Sequence, residues 1–422
     1  MRWTHPEYPG RRVRLAYCMN LHAARDLSGL LGGMRAVTLP LRERLAWTGP
    51  FGIGTYLPAE LARDLVSGAG ASDLACLRRF FVDEGLDPFT YNAFPAANFQ
   101  SKGLKERVFE PTWDLPERLE YTLNVARIAA ELARACGISE EGAHLSISTH
   151  CGRFGPWPQD GDQRRLAGEA LATCAQGLRS IAAGGPRLLL ALEPEPRSSA
   201  GDTTELAAFL GSLHGPGLAD TLGTCLDTCH AAVEFEAGPA ALAQATAYGP
   251  LAKLQFSSAL ALSEPGARPE ARRLLLNMAE ERFLHQVTAR ARDGTLLRVN
   301  DLPDLARELA SDEKGGGSPA PWLDCAEWRC HFHVPVDLER VGELETTRRQ
   351  ADQLLATLLE DPDAWTTDEL HLEIETYTWS VLEGAARGPG ELVDGLEREY
   401  LHVMAGLRAA GWHTSDDAPG AA

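Results

Sequence analysis

A chain of 422 residues that is 44% hydrophobic and 23% charged can bury a sizeable core and has the composition of a globular enzyme. Its formal charge of −19 repels phosphate backbones and anionic membranes, and only short basic clusters such as Arg11, Arg12 and Arg14 oppose it, so nucleic acid is not an expected partner. The opening MRWTHPEYPGRRVRLAY has no apolar signal-like stretch, and no apolar run approaches the ~18 residues of a bilayer span; a cytoplasmic location without membrane insertion is expected.

In chain order, short apolar or β-rich runs alternate with longer helical stretches. The runs are Arg14–His22, Phe51–Leu57, Pro88–Phe94, Ala143–Thr149, Arg187–Glu193, Leu222–Asp227, Ala252–Ser257, Arg329–Val334 and Leu370–Tyr377. Helical patterns fill Leu115–Cys136, Arg164–Ala183, Thr203–Leu213, Arg348–Leu359 and Gly390–Ala410. Such alternation predicts parallel strands with crossover helices, and the length suits one (β/α)₈ TIM-barrel domain over residues 1–413. The nine runs are one more than a barrel needs. Either Arg329–Val334 belongs to an excursion after strand seven, or another run lies outside the barrel. Residues 259–327 are charged, helically patterned and broken by Gly315–Gly317, Ser318 and Pro319, and so predict a helical insertion, either a lid or a passive decoration. Residues 414–422 predict a disordered tail.

Nine cysteines, an odd number scattered over a large domain, do not form a disulfide framework. Cys225 with Cys229, and Cys325 with Cys330, lack the spacing of a structural zinc site and read as buried free thiols.

Ionisable residues concentrate at the carboxyl ends of the apolar runs, the face on which a barrel assembles its active site. They are His22, His150, Glu193, Asp227, His230, His331, His333, Glu373 and Glu375. Glu193 ends LLLALE, and a carboxylate there needs a partner or a cation to offset desolvation; Glu195, two residues on, is either a ligand or solvated. Asp227 and His230 form D-T-C-H, in which the aspartate is a ligand or a helix N-cap. In an extended strand His331 and His333 share one face, as do Glu373 and Glu375. Same-facing carboxylates repel unless a cation or proton lies between them. Mixed carboxylate and imidazole donors suit a divalent metal, with Mn²⁺, Zn²⁺ and Fe²⁺ the leading choices. Asn92, Lys253 and Gln255 also stand near strand ends and can bind hydroxyls, while Lys102, Lys105 and Arg107 offer either an anion contact or a solvated loop. No G-x-G-x-x-G, P-loop or G-x-S-x-G occurs, so nucleotide and serine-hydrolase chemistry lack support.

The motifs LEPEP, CLDTCH, KLQFSSAL, HFHVPV and LEIETYTW, with FGIGTYL, YNAFP and SIST, resemble those of the EboE family of metabolite-traffic proteins, over roughly Leu15 to Ala410. That family is similar to the xylose-isomerase-like TIM barrels, which include sugar isomerases and epimerases, inosose dehydratases and endonuclease IV. The epimerase branch binds its metal through a Glu, an Asp, a His and a second Glu. By resemblance Glu193, Asp227 and Glu375 fill three of these places, Glu193 also acts in proton transfer, and His230 lies on the substrate side. From their places at strand ends, Glu375 is a second candidate for proton transfer, and His22 and His150 are candidate substrate contacts. Gln255 stands where strand seven usually carries the histidine, so the resemblance requires the imidazole to come from His331 or His333.

These readings predict a metal-dependent isomerase or epimerase acting on a small polar metabolite, a sugar or cyclitol, in the biosynthesis or traffic of an exported compound. One rival is a multi-metal hydrolase or nuclease of the endonuclease IV type, with His22, His150, His331 and His333 all ligands. Another is a non-catalytic metabolite-binding protein. Self-association into a homo-oligomer is left open.

Overall fold

The computed structural model describes residues 1–22, 24–98, 103–215, 217–315, 321–380 and 388–414. Its strands are β1 (Arg2–Thr4), β2 (Arg12–Tyr17), β3 (Phe51–Tyr56), β4 (Leu86–Asn92), β5 (His144–His150), β6 (Arg187–Glu193), β7 (Leu222–Asp227) and β8 (Leu251–Phe256). They continue with β9 (Ser258–Ser263), β10 (Val287–Arg290), β11 (Leu296–Val299), β12 (Glu327–Val334), β13 (Arg340–Val341), β14 (Leu344–Thr346) and β15 (Glu369–Ile374). All nine runs read from the sequence fall on strands.

Eight of these strands run parallel in the order β2-β15-β8-β7-β6-β5-β4-β3, and a parallel bridge between Cys18 and Gly54 joins the two ends. The result is the expected (β/α)₈ barrel, with β1 added antiparallel along β2. Alternation along each strand decides which side chains look inward. In β6, Leu188, Leu190 and Leu192 join the main core beneath the helices. Leu189 and Ala191 pack instead with Cys225 and Ala252 in a small separate cluster, and Glu193 continues their face. In β15, Leu370, Leu372 and Ile374 join the main core, which leaves His371, Glu373 and Glu375 on the opposite face. Gly54 sits on β3 because a Cβ there would lie 1.6 Å from Glu373 Oε1.

The ninth strand belongs to the excursion. Only Ser257 separates β8 from β9, so strand seven of the barrel runs directly into a six-stranded antiparallel sheet ordered β11-β10-β12-β9-β14-β13. The expected helices are present, at Pro269–Asn277 and Leu302–Gly315. The insertion is nonetheless built on a sheet, and it extends to Thr346, beyond the anticipated residue 327. The charged helical segments dominated the sequence pattern, whereas β10 and β11 have only four residues each, too few for a clear alternation. Trp328, Cys330, Phe332 and Val334 of β12 form the insertion's own apolar cluster with residues such as Leu260, Leu262 and Leu305. The alternate positions, His331 and His333, therefore lie on the opposite face of β12.

Two latches hold the insertion on the barrel. Arg197, at φ +68, pairs with Glu234 and donates to Val287 O (2.8 Å), Thr288 Oγ1 (2.7 Å) and Val299 O (3.2 Å). Lys105 donates to Phe283 O and to Asp301 Oδ2, both at 2.7 Å, so it serves packing and not the anion contact offered by its sequence position. Arg11, Arg12 and Arg14 are likewise engaged, by Asp363, Glu369 and Asp87 respectively, and form no basic groove. The nine cysteines are all free, seven of them buried. Thr414 is buried, whereas Lys102, the breaker at 316–320 and the tail from 415 lie outside the described residues. No helix among the described residues is long and apolar enough to cross a membrane.

Arg197→Ala leaves the nearly inaccessible Glu234 carboxylate with the exposed Arg298 as its charged partner. Breaking such a buried pair is expected to cost about 3 kcal/mol, read from urea unfolding, and the added Glu234→Gln change should recover much of it. A loss below about 1 kcal/mol would show that the latch contributes little.

Candidate metal centre

At the carboxyl end of the barrel, β6, β7, β15 and the insertion strand β12 deliver their polar ends to one cleft. Its lining includes Asn92, Ser148, Glu193, Glu195, His230, Gln255, His331, His333, Glu375 and Tyr377, with an apolar rim of Phe94, Val108, Phe283 and Leu284.

Three imidazoles meet there. The Nε2 atoms of His230 and His331 are 3.1 Å apart, those of His230 and His333 3.3 Å, and those of His331 and His333 2.8 Å. The other ring nitrogens settle the tautomers. His230 Nδ1 donates to Pro194 O (3.1 Å), and His333 Nδ1 donates to Glu375 O (2.9 Å). His331 Nδ1 donates to Gln286 Oε1 (2.7 Å), and the Gln286 amide is oriented by its own donation to Pro196 O (3.1 Å). Carbonyl oxygens only accept, so each Nδ1 carries the proton and each Nε2 presents a bare lone pair. Nitrogens about 2.0–2.1 Å from one ion stand about 2.8–3.0 Å apart at right angles and about 3.3–3.4 Å apart in a tetrahedron, a span that covers all three separations.

Carboxylates complete the surroundings. Oxygens of Glu193, Asp227 and Glu375 all lie within 4.8 Å of one another. Within the same limit, Asp227 meets His230 and His333, and Glu195 meets His230 and His331. Of the two readings of Asp227, the helix cap is seen directly. Its Oδ1 caps the helix Thr228–Val233 by accepting from Cys229 N (2.6 Å) and His230 N (3.0 Å), while its buried Oδ2 has no hydrogen-bond partner. Glu375 accepts from Asn20 Nδ2 at 2.8 Å. Glu195 is buried, not solvated.

Burial dominates the electrostatics. It holds His230 at about 3 and His333 at about 4, and pushes His331 well below the usual imidazole range, aided by the neighbouring rings. Burial, then the charges of Glu375 and Asp227, raise Glu193; burial, then Asp227, raise Glu375 and bring Glu195 to about 8. Asp227 also rises through burial. His230 Nδ1 also lies 3.3 Å from Glu193 Oε1. Neutral imidazoles facing carboxylates that resist ionisation, with one orphaned oxygen, are the donor set a divalent cation would satisfy.

The remaining sequence candidates divide. Lys253 Nζ is fully buried on Glu373 Oε2 (2.6 Å), Asn92 Oδ1 (2.9 Å) and Ser148 Oγ (3.1 Å). The cation required by the same-facing glutamates is thus, for Glu373, a lysine. Asn92 is committed to the same floor, donating to Glu373 Oε1 (3.0 Å), and Gln255 Nε2 donates to Asn92 Oδ1 (3.3 Å). Asn92 and Gln255 still border the cleft. His22 and His150 are not brought to it. His22 Nε2 meets Tyr17 Oη at 2.8 Å, and His150 lies between Phe94 and Phe109 with Nδ1 accepting from Gly152 N (3.1 Å). His230, read as substrate-side, instead places Nε2 with the other two imidazoles. Gln286 and Tyr377 were missed. Gln286 lies in a segment with no strand signal of its own, whereas Tyr377, two residues past Glu375, could have been found from its position.

No protein-family profile matches the chain, and no curated protein matches its sequence. Among solved structures it is similar to an L-ribulose 3-epimerase (11% identity, 94% of this chain and 95% of that one, TM-score 0.46). It is also similar to the IOLI protein with a bound zinc atom (10%, 93% and 98%, 0.44). A third likeness is to endonuclease IV from Thermus thermophilus (16%, 93% and 99%, 0.38). The barrel assignment itself rests on the strand order and closure.

Gln286→Leu removes the acceptor that fixes His331. It is expected to weaken Zn²⁺ affinity about 10–100-fold in a competitive chelator titration, with Gln286→Glu close to wild type. Equal affinity in all three proteins would show that Gln286 does not position the imidazole.

Proposed function

We propose that this chain is a metal-dependent enzyme that isomerises, epimerises or dehydrates a small polyhydroxylated metabolite, a sugar or cyclitol, by moving a proton next to a carbonyl. The observation that carries the reading is the convergence of three bare imidazole lone pairs beside the unpartnered Asp227 Oδ2. Glu193, Asp227, His331, His333 and Glu375 are the proposed ligands, with His230 as the third imidazole. Neutral nitrogen with carboxylate oxygen suits Zn²⁺, Fe²⁺ or Mn²⁺. Such an ion would supply Lewis acidity to a substrate carbonyl or hydroxyl. Glu193 and Glu375, which line the cleft beside the imidazoles, are the proposed proton carriers. The apolar rim limits water at the reacting centre, and the Lys253, Asn92 and Ser148 floor stays neutral as a unit with Glu373. A place in the biosynthesis or traffic of an exported metabolite follows from the EboE resemblance alone. The hydrolase reading required His22 and His150 as ligands, and both are engaged elsewhere.

The test is the metal content of protein purified without added metal, measured by mass spectrometry. We expect about one or more ions per chain in wild type, lost in Asp227→Asn and Glu375→Gln. Asparagine retains the helix cap, so loss of metal there is not loss of fold. With metal established, sugars and cyclitols can be screened for turnover. No metal in wild type, even after incubation with Mn²⁺, Zn²⁺ and Fe²⁺, would overturn the proposal in favour of a non-catalytic metabolite-binding protein.

A further inference from the structure

We infer that Glu399 is a positioning residue for the metal centre, tying together from outside the cleft the two loops that deliver His333 and Glu375. This rests on the metal reading above and adds to it the contact that sets those two groups against each other.

β12 ends at Val334 and β15 at Ile374, and in both places the chain continues without a regular ladder. Glu375 N, donating to Phe256 O at 3.1 Å, is bonded to the barrel wall, and Thr376 is the next residue. Groups beyond a ladder need partners of another kind if they are to stay fixed. Glu399 supplies one to each loop. It lies within the helix Pro389–Ala409 and is fully buried. Its Oε1 accepts from Val336 N (3.1 Å), three residues past His333. Its Oε2 accepts from Thr376 Oγ1 (2.9 Å), beside Glu375, and Trp379 Nε1 donates to that same hydroxyl oxygen (3.3 Å).

The two loops are also bonded to each other. His333 Nδ1 donates to Glu375 O (2.9 Å), and Thr378 Oγ1 donates to His333 O (2.8 Å). These bonds join the loops, and Glu399 roots the joined pair in a helix of the barrel's outer layer. A carboxyl is a costly choice for that position, since burial strips it of water. Arg398, its neighbour in the helix, pairs instead with Asp337 at 3.1 Å. Burial pushes the Glu399 carboxyl well above its usual range; the bond from Thr376 opposes this and the charge of Asp337 adds to it. The group therefore acts through its two hydrogen bonds and not through a charge pair. Both bonds end within three residues of a proposed ligand. An ion tolerates its donors only in a narrow range of positions, so a contact that sets two of them governs affinity.

Co²⁺ is the probe, with affinity read by competitive chelator titration and ligand geometry by the visible cobalt spectrum. Wild type is compared with Glu399→Leu, Glu399→Gln and Thr376→Val, and urea unfolding of each metal-free protein records its fold. Leucine removes both bonds, whereas glutamine keeps an acceptor for Val336 N and offers its amide to Thr376 Oγ1. The expected result is about tenfold or weaker cobalt affinity and an altered spectrum in Glu399→Leu, with Glu399→Gln close to wild type. Wild-type affinity and spectrum in Glu399→Leu overturn the inference and leave the metal reading intact, whatever the unfolding midpoint, since the role would then be structural alone. Equal loss in Glu399→Gln and Glu399→Leu also overturns it, because a charge and not a pair of bonds would be at work. Should Glu399→Leu fail to fold, Thr376→Val carries the test: an altered spectrum with weaker affinity supports the inference, and wild-type values overturn it. Wild type that binds no cobalt overturns the metal reading, and this inference with it.

Discussion

Three imidazole nitrogens with bare lone pairs repel one another in a dry pocket unless a positive charge is shared among them. In this chain that repulsion is imposed by the backbone. Pro194 O and Glu375 O fix His230 and His333 from two barrel loops, and Gln286 fixes His331 from the insertion. None of these acceptors can be satisfied if the rings flip, because the Nδ1 protons would then point into the focus and leave buried carbonyls unpaired. The arrangement is preorganised for a cation, and the surrounding carboxylates, raised by burial and by one another, point to the same need.

The layer below is balanced without any ion. Lys253 neutralises Glu373 inside the barrel, where strand positions are more often filled by branched apolar side chains. That pairing separates two glutamates with identical strand geometry. Glu373 points into the closed interior, meets its lysine and leaves room only for a glycine on β3. Glu375, beyond the end of β15, takes a hydrogen bond from Asn20 at its Oε1 and lines the open cleft. One alternation thus produces a structural carboxylate and an available one two residues apart.

Much of this was legible in the sequence. The barrel followed from the spacing of apolar runs, and the site from acids and histidines standing at their carboxyl ends. The alternation of β15 is visible in HLEIE, and it fixes the shared face of Glu373 and Glu375. His22 and His150 misled because a strand's end says where a residue leaves the sheet, not which way its side chain turns. His150 leaves between two aromatic rings, and His22 belongs to the turn Met19–His22, where Tyr17 holds it. The sheet of the insertion was hidden by its short strands, and Gln286 by a segment whose own pattern is featureless. The partners that convert a histidine into a directed lone pair are set by tertiary contacts, and no local period encodes them.

The route by which the imidazoles reach the focus ties the site to the insertion. Strand seven spends its inward positions on Lys253 and Gln255, so it has no histidine to give. One residue later the same chain becomes β9, whose antiparallel partner β12 returns along it and pairs Val334 with Ser258. The ladder between them is interrupted from Cys330 to Val334, the stretch that turns His331 and His333 toward Asp227. Two of the three imidazoles therefore exist at the focus only while the inserted sheet is docked, held by Arg197 and Lys105. Ion binding and insertion docking must then be linked. Whatever free energy an ion gains from His331 and His333 also stabilises the docked sheet, and a weakened latch lowers ion affinity by the fraction of time the sheet spends undocked. The insertion is in this sense a part of the candidate metal centre.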